Sequence, residues 1–226
     1  VGVITNINAA HLQFLGSTDT VAEAKGELLQ TMRSDGTAVL NADDRYFSTL
    51  KKKYSGRVLS FGIEQAADVR ASGIEQSRAG TDLTVHSDDR SIRVRLSTVG
   101  RHNVYNALAA AAGALAADQP LETVKAGLEA FRPVAMRSEL REVQGRTVLA
   151  DCYNANPASV QAALETLASL KTGTRAIAVL GDMLELGDTA AEAHRAVGAA
   201  AATLGIDVMI TVGPLAKHIA EGAVAA

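Results

Sequence analysis

The sequence predicts an α/β protein in which parallel strands alternate with helices. Short apolar runs recur between longer segments whose apolar residues stand three and four positions apart, as do Val160, Leu164 and Leu167. Polar, turn-forming residues follow the apolar runs directly, and the next helix begins after them. This alternation is typical of a parallel sheet, where ligands bind beyond the carboxyl ends of the strands.

Composition excludes several classes of function. The 226 residues include 22 Lys and Arg against 25 Asp and Glu, a net charge of -3, so no nucleic-acid surface is expected. No apolar run reaches the roughly 20 residues that span a bilayer, so membrane insertion is not expected either. A single cysteine is typical of a reducing cytoplasm. The chain begins without Met inside an apolar run, which indicates a piece of a longer protein.

The first part of the chain predicts two strand–helix pairs. Residues 1–7 form a short buried strand with a polar end, and residues 18–32 form a helix that contains Lys25. A second strand follows at 37–40, and the cluster Asn41-Ala-Asp-Asp44 is interpreted as caps that open a helix running to about Tyr54.

The pattern then changes to short stretches separated by Gly and Asp. The alternation at 92–96 predicts a half-exposed antiparallel strand in the region 57–97. An Ala-rich helix from about 100 to 117 and a second helix at 122–130 lead to Arg132-Pro133, the predicted linker between domains 1–133 and 134–226.

A second, smaller α/β unit is predicted beyond the linker, with strands at 146–151, 175–181 and 207–213. The first is expected to be a buried strand with Asp151 at its carboxyl end. Asn156 suits a helix N-cap and Pro157 the first helical position, so a helix should begin there.

Six segments of the chain resemble the Mur ligases and occur in the order seen in that family: 5–12, 22–26, 40–44, 100–110, 151–157 and 180–187. The pair Tyr-Asn-Ala-Asn-Pro and Gly-Asp-Met-Leu-Glu-Leu-Gly is similar to the members that add D-alanyl-D-alanine to UDP-MurNAc-tripeptide. The resemblance implies an ATP-dependent amide ligase that needs Mg²⁺ and works through an acyl phosphate in peptidoglycan synthesis. The full-length enzyme is expected to be a cytoplasmic monomer.

The resemblance also implies the architecture. The first domain would be an N-terminally truncated, P-loop-type ATP-binding domain with a mixed sheet. A Rossmann-like domain would follow it, and whether this second domain is truncated at its C-terminus is left open. The family's Gly-Lys-Thr phosphate loop and a second magnesium ligand would belong upstream of Val1. The chain by itself is therefore expected to be inactive.

The resemblance implies that Lys25 and His11 are the catalytic and metal-binding residues. Mg²⁺ prefers oxygen ligands, so Lys25 would act as a carbamate, a carboxylate-like group. Carbamylation requires an uncharged amine, which burial would favour. From the residues alone, Lys25 is an exposed helix side chain and His11 a structural hydrogen-bonding residue.

The nucleotide-binding residues implied by the resemblance are Asn103, Asn106, Arg137 and Asp151. The two amides stand three apart on one helix and offer a donor and an acceptor, as an adenine edge does. A guanidinium suits phosphate and a carboxylate suits the ribose diol. The alternatives are that Asn103 caps its helix and that the two charged residues form surface ion pairs.

Substrate-binding residues are expected after two strands of the second domain. Tyr153, Asn154 and Asn156 would form a polar lip where nucleotide and peptide meet, and Asp182 and Glu185 are further candidates. Asn156 as a cap only is the alternative, while Cys152 is interpreted as a buried packing residue.

Two other functions stay open at this point. A ligase similar to folylpolyglutamate synthase would share the carbamylated lysine but should lack Tyr-Asn-Ala-Asn-Pro. A nucleotide-binding module without catalysis would be favoured if the short chain were a natural product.

Overall fold

The structure, a computed structural model, describes residues 1–8 and 17–226. Its internal contacts divide the chain into two units, Val1–Asn8 with Thr18–Arg132 and a second unit that includes Pro133–Ala226. Among the residues described, no helix is both long enough and apolar enough to cross a bilayer.

The first unit is built on one mixed sheet with strand order β1-β2-β3-β4-β5-β6. The strands β1 to β3 pair in parallel, β4 continues in parallel from the end of β3, and β4, β5 and β6 are antiparallel. The elements are β1 (Gly2–Ile4), α1 (Thr18–Thr31), β2 (Thr37–Asn41), α2 (Phe47–Lys52), β3 (Arg57–Gly62), β4 (Val69–Ser77), β5 (Gly80–Ser87), β6 (Arg90–Leu96), α3 (Arg101–Ala116) and α4 (Leu121–Ala130). The mixed α/β fold class is therefore confirmed.

The structure of this unit differs from the sequence prediction in two places. The strand β4 was not predicted, because most of its residues are polar and its buried positions, Val69 and Ala71, are too few to form a clear alternation. The helix α2 begins at Phe47 rather than at the polar cluster 41–44, since those side chains bond to distant parts of the chain.

The core of the first unit lies between the sheet and the Ala-rich helix α3. Strand residues such as Val39, Phe61 and Val85 are fully buried against α3, whose Val104 and Leu108 are fully buried as well. Burial of side chains of this size stabilises the fold by about 1.5–3 kcal/mol each. The packing fixes α3 across the parallel strands.

The second unit contains an antiparallel hairpin, a parallel strand pair and three helices. Its elements are β7 (Glu139–Val143), β8 (Arg146–Ala150), α5 (Pro157–Ser169), β9 (Ile177–Gly181), a 3₁₀ turn (Gly187–Thr189), α6 (Ala190–Thr203), β10 (Val208–Val212) and α7 (Lys217–Ala225). The pairing joins β7 to β8 and β9 to β10. The strand β8 is not the buried strand that was expected, because Val148 is 41% exposed.

The helices α6 and α7 approach each other at two glycines. A Cβ atom on Gly198 would lie 1.9 Å from the carbonyl oxygen of Ile219, and one on Gly222 would lie 2.0 Å from that of Arg195. Any side chain at either position would push the two backbones apart.

Candidate functional site

The parallel strands β1, β2 and β3 end at one edge of the first sheet, and polar segments connect their ends. The Asn41 amide donates to the carbonyl oxygen of Thr5 at 3.1 Å, and the Asp44 carboxylate accepts from the backbone N–H of Ile7 at 2.6 Å. The segment after β2 therefore holds the segment after β1. In open α/β sheets this edge is where ligands bind.

Asp43 joins the same edge to the helix α3. Its carboxylate accepts backbone N–H bonds from Ile63, Glu64 and Gln65 at 2.7, 3.0 and 2.7 Å, and the Tyr105 hydroxyl donates to it at 2.7 Å. The interpretation of residues 41–44 as helix caps was thus wrong for Asp43. Its role is to fix the loop after β3 and the first turns of α3 together.

The Tyr105–Asp43 bond has a consequence at high pH. Burial, together with the hydrogen bond and charge of Asp43, raises the pKa of Tyr105 from 10.0 to about 12. Because the folded pKa lies above the unfolded one, the stabilisation is full below about pH 10 and is lost as the pH rises towards 12.

We therefore expect Tyr105→Phe to lower the free energy of unfolding by about 1 kcal/mol at neutral pH and by clearly less at about pH 11. Urea unfolding of both proteins across this range measures the difference. A difference that stays constant would contradict the assignment.

Lys25 lies on α1 and is exposed, so the burial that would favour an uncharged amine is not found. Its ammonium donates to the carbonyl oxygen of Asn6, just beyond β1, at 2.9 Å. His11 lies outside the described residues. Over the described parts of the chain no three His, Cys, Asp or Glu side chains are grouped to hold a metal ion. An ammonium repels Mg²⁺, so Lys25 fits a magnesium site only as a carbamate.

Asn103 and Asn106 lie on one face of α3, as their spacing predicts. The helix is preceded by Gly100 without a side-chain cap, so Asn103 is not the cap. Instead, its amide donates to the carbonyl oxygen of Val99 at 2.8 Å, and its own oxygen accepts from Asn106 at 3.3 Å. Asn103 therefore orients the Asn106 amide.

Both asparagines line a cavity of about 360 Å³ in the first unit. The wall opposite them comes from α4 and the residue after it, with Val124, Leu128 and Phe131. The lining is mainly apolar, and the two amides give it hydrogen-bonding groups. Such a surface suits a flat heteroaromatic ring with polar edges.

In the second unit the structure brings Arg137, Asp151 and Tyr153 together. The guanidinium of Arg137 lies 4.1 Å from the ring centroid of Tyr153, whose backbone N–H donates to the carbonyl oxygen of Met136 at 3.2 Å. The Asp151 carboxylate accepts from the backbone N–H of Ser138 at 3.0 Å. The turn before β7 and the segment after β8 thus form one polar surface.

The neighbouring asparagines make local bonds. Asn156 caps α5, since its side-chain oxygen accepts from the N–H of Ser159 at 2.9 Å and the Ser159 hydroxyl accepts in return from the Asn156 N–H. The predicted cap is confirmed, and it occupies the Asn156 oxygen expected to bind substrate. Asn154 accepts from the following backbone N–H at 2.9 Å. Cys152 is exposed rather than buried, because it lies in the irregular segment after β8.

Asp182 holds the start of α7. Its carboxylate accepts from the backbone N–H groups of Leu215 and Ala216 at 3.0 and 2.7 Å. Glu185 is exposed in the loop after β9, in a left-handed conformation with φ of 61°. Among the described residues, no hydrogen bond joins Asp182 to Tyr153. The two bonds that the Asp182 carboxylate accepts favour a structural role.

The contacts of His194 are structural. Its Nε2 accepts from the backbone N–H of Met183 at 3.0 Å, so the proton lies on Nδ1, 2.6 Å from the carbonyl oxygen of Ala190. The neutral imidazole, fully buried, therefore fixes the loop that carries Glu185.

Comparison with known proteins relates this chain to one protein family. The Mur ligase middle domain matches residues 1–114, and the Mur ligase glutamate ligase domain matches residues 136–226. The UDP-N-acetylmuramoyl-tripeptide–D-alanyl-D-alanine ligase of Bacillus subtilis is 37% identical over 98% of this chain and 48% of its own length.

Solved structures of the same family have a similar fold. A crystal structure of MurF from Acinetobacter baumannii has a TM-score of 0.91 at 33% identity and covers 97% of this chain and 48% of that one. MurF ligase from Thermotoga maritima, in complex with ADP, has a TM-score of 0.83 at 23% identity over 96% of this chain and 50% of its own, which shows the fold alone. The chain spans about half the length of the curated relatives it matches, and its matches to both Mur ligase domains show that it belongs to the Mur ligase family.

Proposed function

We propose that the protein containing this chain is an ATP-dependent ligase that adds D-alanyl-D-alanine to UDP-MurNAc-tripeptide in peptidoglycan synthesis. The names of the relatives support these substrates, and the matches to both Mur ligase domains support ATP as the nucleotide. The proposal places the reaction in the cytoplasm, where a single unpaired cysteine remains reduced, and treats the enzyme as a monomer.

The proposed reaction has two steps. The tripeptide carboxylate attacks the γ-phosphorus of ATP, which forms an acyl phosphate and releases ADP. The amine of D-alanyl-D-alanine then attacks the acyl carbon, loses a proton and displaces phosphate, which leaves a new amide bond. The first step brings two anions together, so most of the catalytic contribution comes from positioning and from neutralising charge.

The described residues are assigned to the nucleotide as follows. Asn106, oriented by Asn103, contacts the base, while Asp151 contacts the ribose and Arg137 contacts a phosphate. Tyr153 and Asn154 remain candidates for binding the peptide substrates. Asn156, Asp182 and Glu185 would support that binding without being its main contacts. Mg²⁺ stays part of the proposal through His11 and the Lys25 carbamate, which together would hold the cation that offsets the phosphate charge.

The observation that carries the nucleotide assignment is the cavity lined by Asn103 and Asn106. Its apolar wall offers stacking area, and one amide offers the donor and acceptor that the adenine edge requires. Guanine presents two acceptors at the corresponding edge, so the Asn106 amide should discriminate between the two bases.

We expect Asn106→Ala to weaken ADP binding roughly tenfold, the loss of about one hydrogen bond, and to change GDP binding little. Titration calorimetry with the protein as its gene encodes it measures both affinities. Gln30→Ala, an exposed amide on α1, is the matched control and should change neither. Equal losses for ADP and GDP would remove Asn106 from base recognition.

A further inference from the structure

The turn that carries Arg137 has an unusual backbone. Met136 and Ser138, on either side of it, both have positive φ, 62° and 48°, although neither is glycine. A side chain in this left-handed region is strained, and such strain persists only where the surrounding contacts hold it. Arg137 is therefore presented by a turn that needs external support.

Two carboxylates supply that support. Asp151 accepts from the N–H of Ser138 at 3.0 Å, and Glu139 accepts from the N–H of Met136 at 3.1 Å. Each bond fixes one of the two strained residues. Asp151 is already assigned to the nucleotide, but Glu139 has no assigned role.

Glu139 is held as a carboxylate by a second contact. The guanidinium of Arg141 lies 2.7 Å from the same oxygen, Oε2, that accepts from Met136. The hydrogen bond from Arg141, followed by that from the Met136 N–H, lowers the pKa of Glu139 below its usual range. The Glu139 side chain is 25% exposed, so these contacts are partly shielded from water.

We propose that Glu139 is a positioning residue for nucleotide binding: by holding Met136 in its strained conformation it aims Arg137 at the phosphates of the bound nucleotide. The inference rests on the proposed function, since it takes the phosphate contact of Arg137 as given. Without the carboxylate, Met136 would relax towards an ordinary backbone conformation, and the guanidinium would be displaced.

Because Arg137 lies between Glu139 and the phosphates, loss of Glu139 should affect only ligands that carry phosphates. Glu139 acts only through the guanidinium, so its loss should weaken ligands that carry phosphates and leave a ligand without phosphates unchanged. A general loss of folding would instead weaken both kinds of ligand together.

The test compares ADP and adenosine by titration calorimetry with the protein as its gene encodes it. Glu139→Ala is expected to weaken ADP binding roughly tenfold, about the value of one charge-assisted hydrogen bond, and adenosine binding less than twofold. Glu139→Asp keeps the charge but shortens the reach to Met136 and should behave like Glu139→Ala. Equal weakening of ADP and adenosine, or no weakening of ADP by either variant, would overturn the proposal.

Two further variants sharpen the comparison. Glu139→Gln keeps an oxygen for the Met136 N–H and should retain most of the ADP affinity. Glu142 lies on the same strand, and its carboxylate accepts a hydrogen bond from the Thr147 hydroxyl, across the hairpin and away from the turn. Glu142→Ala should therefore leave ADP binding unchanged.

A double-mutant cycle separates this inference from the proposed function. If Arg137→Ala leaves ADP binding unchanged, the assignment of Arg137 fails, and the positioning role fails with it. If Arg137→Ala weakens ADP, Glu139→Ala should have no additional effect in that background. An undiminished additional effect would show that Glu139 acts by another route, with the proposed function intact.

Discussion

In the full-length protein, Lys25→Ala should lower the proposed ligase turnover on the order of 1,000-fold, the scale of losing one group that positions and neutralises charge at the reacting centre. Lys25 is exposed on α1, and within residues 1–8 and 17–226 its ammonium donates one hydrogen bond, to the Asn6 carbonyl oxygen. Removing it should cost little stability. The loss would therefore report on the carbamate proposed to hold Mg²⁺, and not on folding.

The measurement is phosphate release from ATP in the presence of UDP-MurNAc-tripeptide and D-alanyl-D-alanine. Lys51→Ala, at an exposed lysine on α2, is the control and should keep full activity. A small carboxylate such as acetate should partly restore Lys25→Ala, because it can replace the lost carboxylate-like group. Near-normal turnover of Lys25→Ala would end the metal role, and so would the absence of a carbamate carbon signal after exposure of the active protein to labelled bicarbonate.

Asp43→Ala should lower the free energy of unfolding by about 3–5 kcal/mol, because it removes the acceptor of several hydrogen bonds at once. The Asp43 carboxylate bonds to Ile63, Glu64, Gln65 and Tyr105 at distances of 2.7 to 3.0 Å. Only part of this loss can be recovered by water, since Asp43 is half-buried.

Denaturant unfolding measures this change, with Asp35→Ala as the control. Asp35 forms an ion pair with Arg33, but both side chains are exposed, so little change in the unfolding midpoint is expected. Asp43→Asn should fall between wild type and alanine, because it retains one oxygen acceptor. A loss below 1 kcal/mol for Asp43→Ala would mean that the loop after β3 is held by other contacts.

The features that sequence predicted well are local. The cap at Asn156 and the helix start at Pro157 follow from residue type and immediate order along the chain. The same holds for the shared helix face of Asn103 and Asn106, because three residues make almost one turn. Apart from β4 and β7, the order of strands and helices followed from apolar periodicity, which also depends on near neighbours.

The features that sequence did not predict depend on distant partners or on weak patterns. The strand β7 is short and its exposed Arg141 and Glu142 hide the alternation, so the hairpin with β8 was missed. Asp43 and Asp182 look like cap or ligand carboxylates by composition. Nothing in their immediate neighbours indicates that their acceptors face backbone N–H groups about 20 and 33 positions away.

The bonds of Asp43 also bear on the order in which the first unit forms. Its contacts span 20 and 62 positions of the chain, and Asp44 reaches back 37 positions to Ile7. Closing such long loops costs chain entropy before any of these bonds can form, so we expect them to form late in folding. Loss of Asp43 should then accelerate unfolding and leave the refolding rate almost unchanged, as for any contact that forms after the transition state. The time for which the loop after β3 and the first turns of α3 stay joined is then expected to depend on how rarely this carboxylate releases its partners.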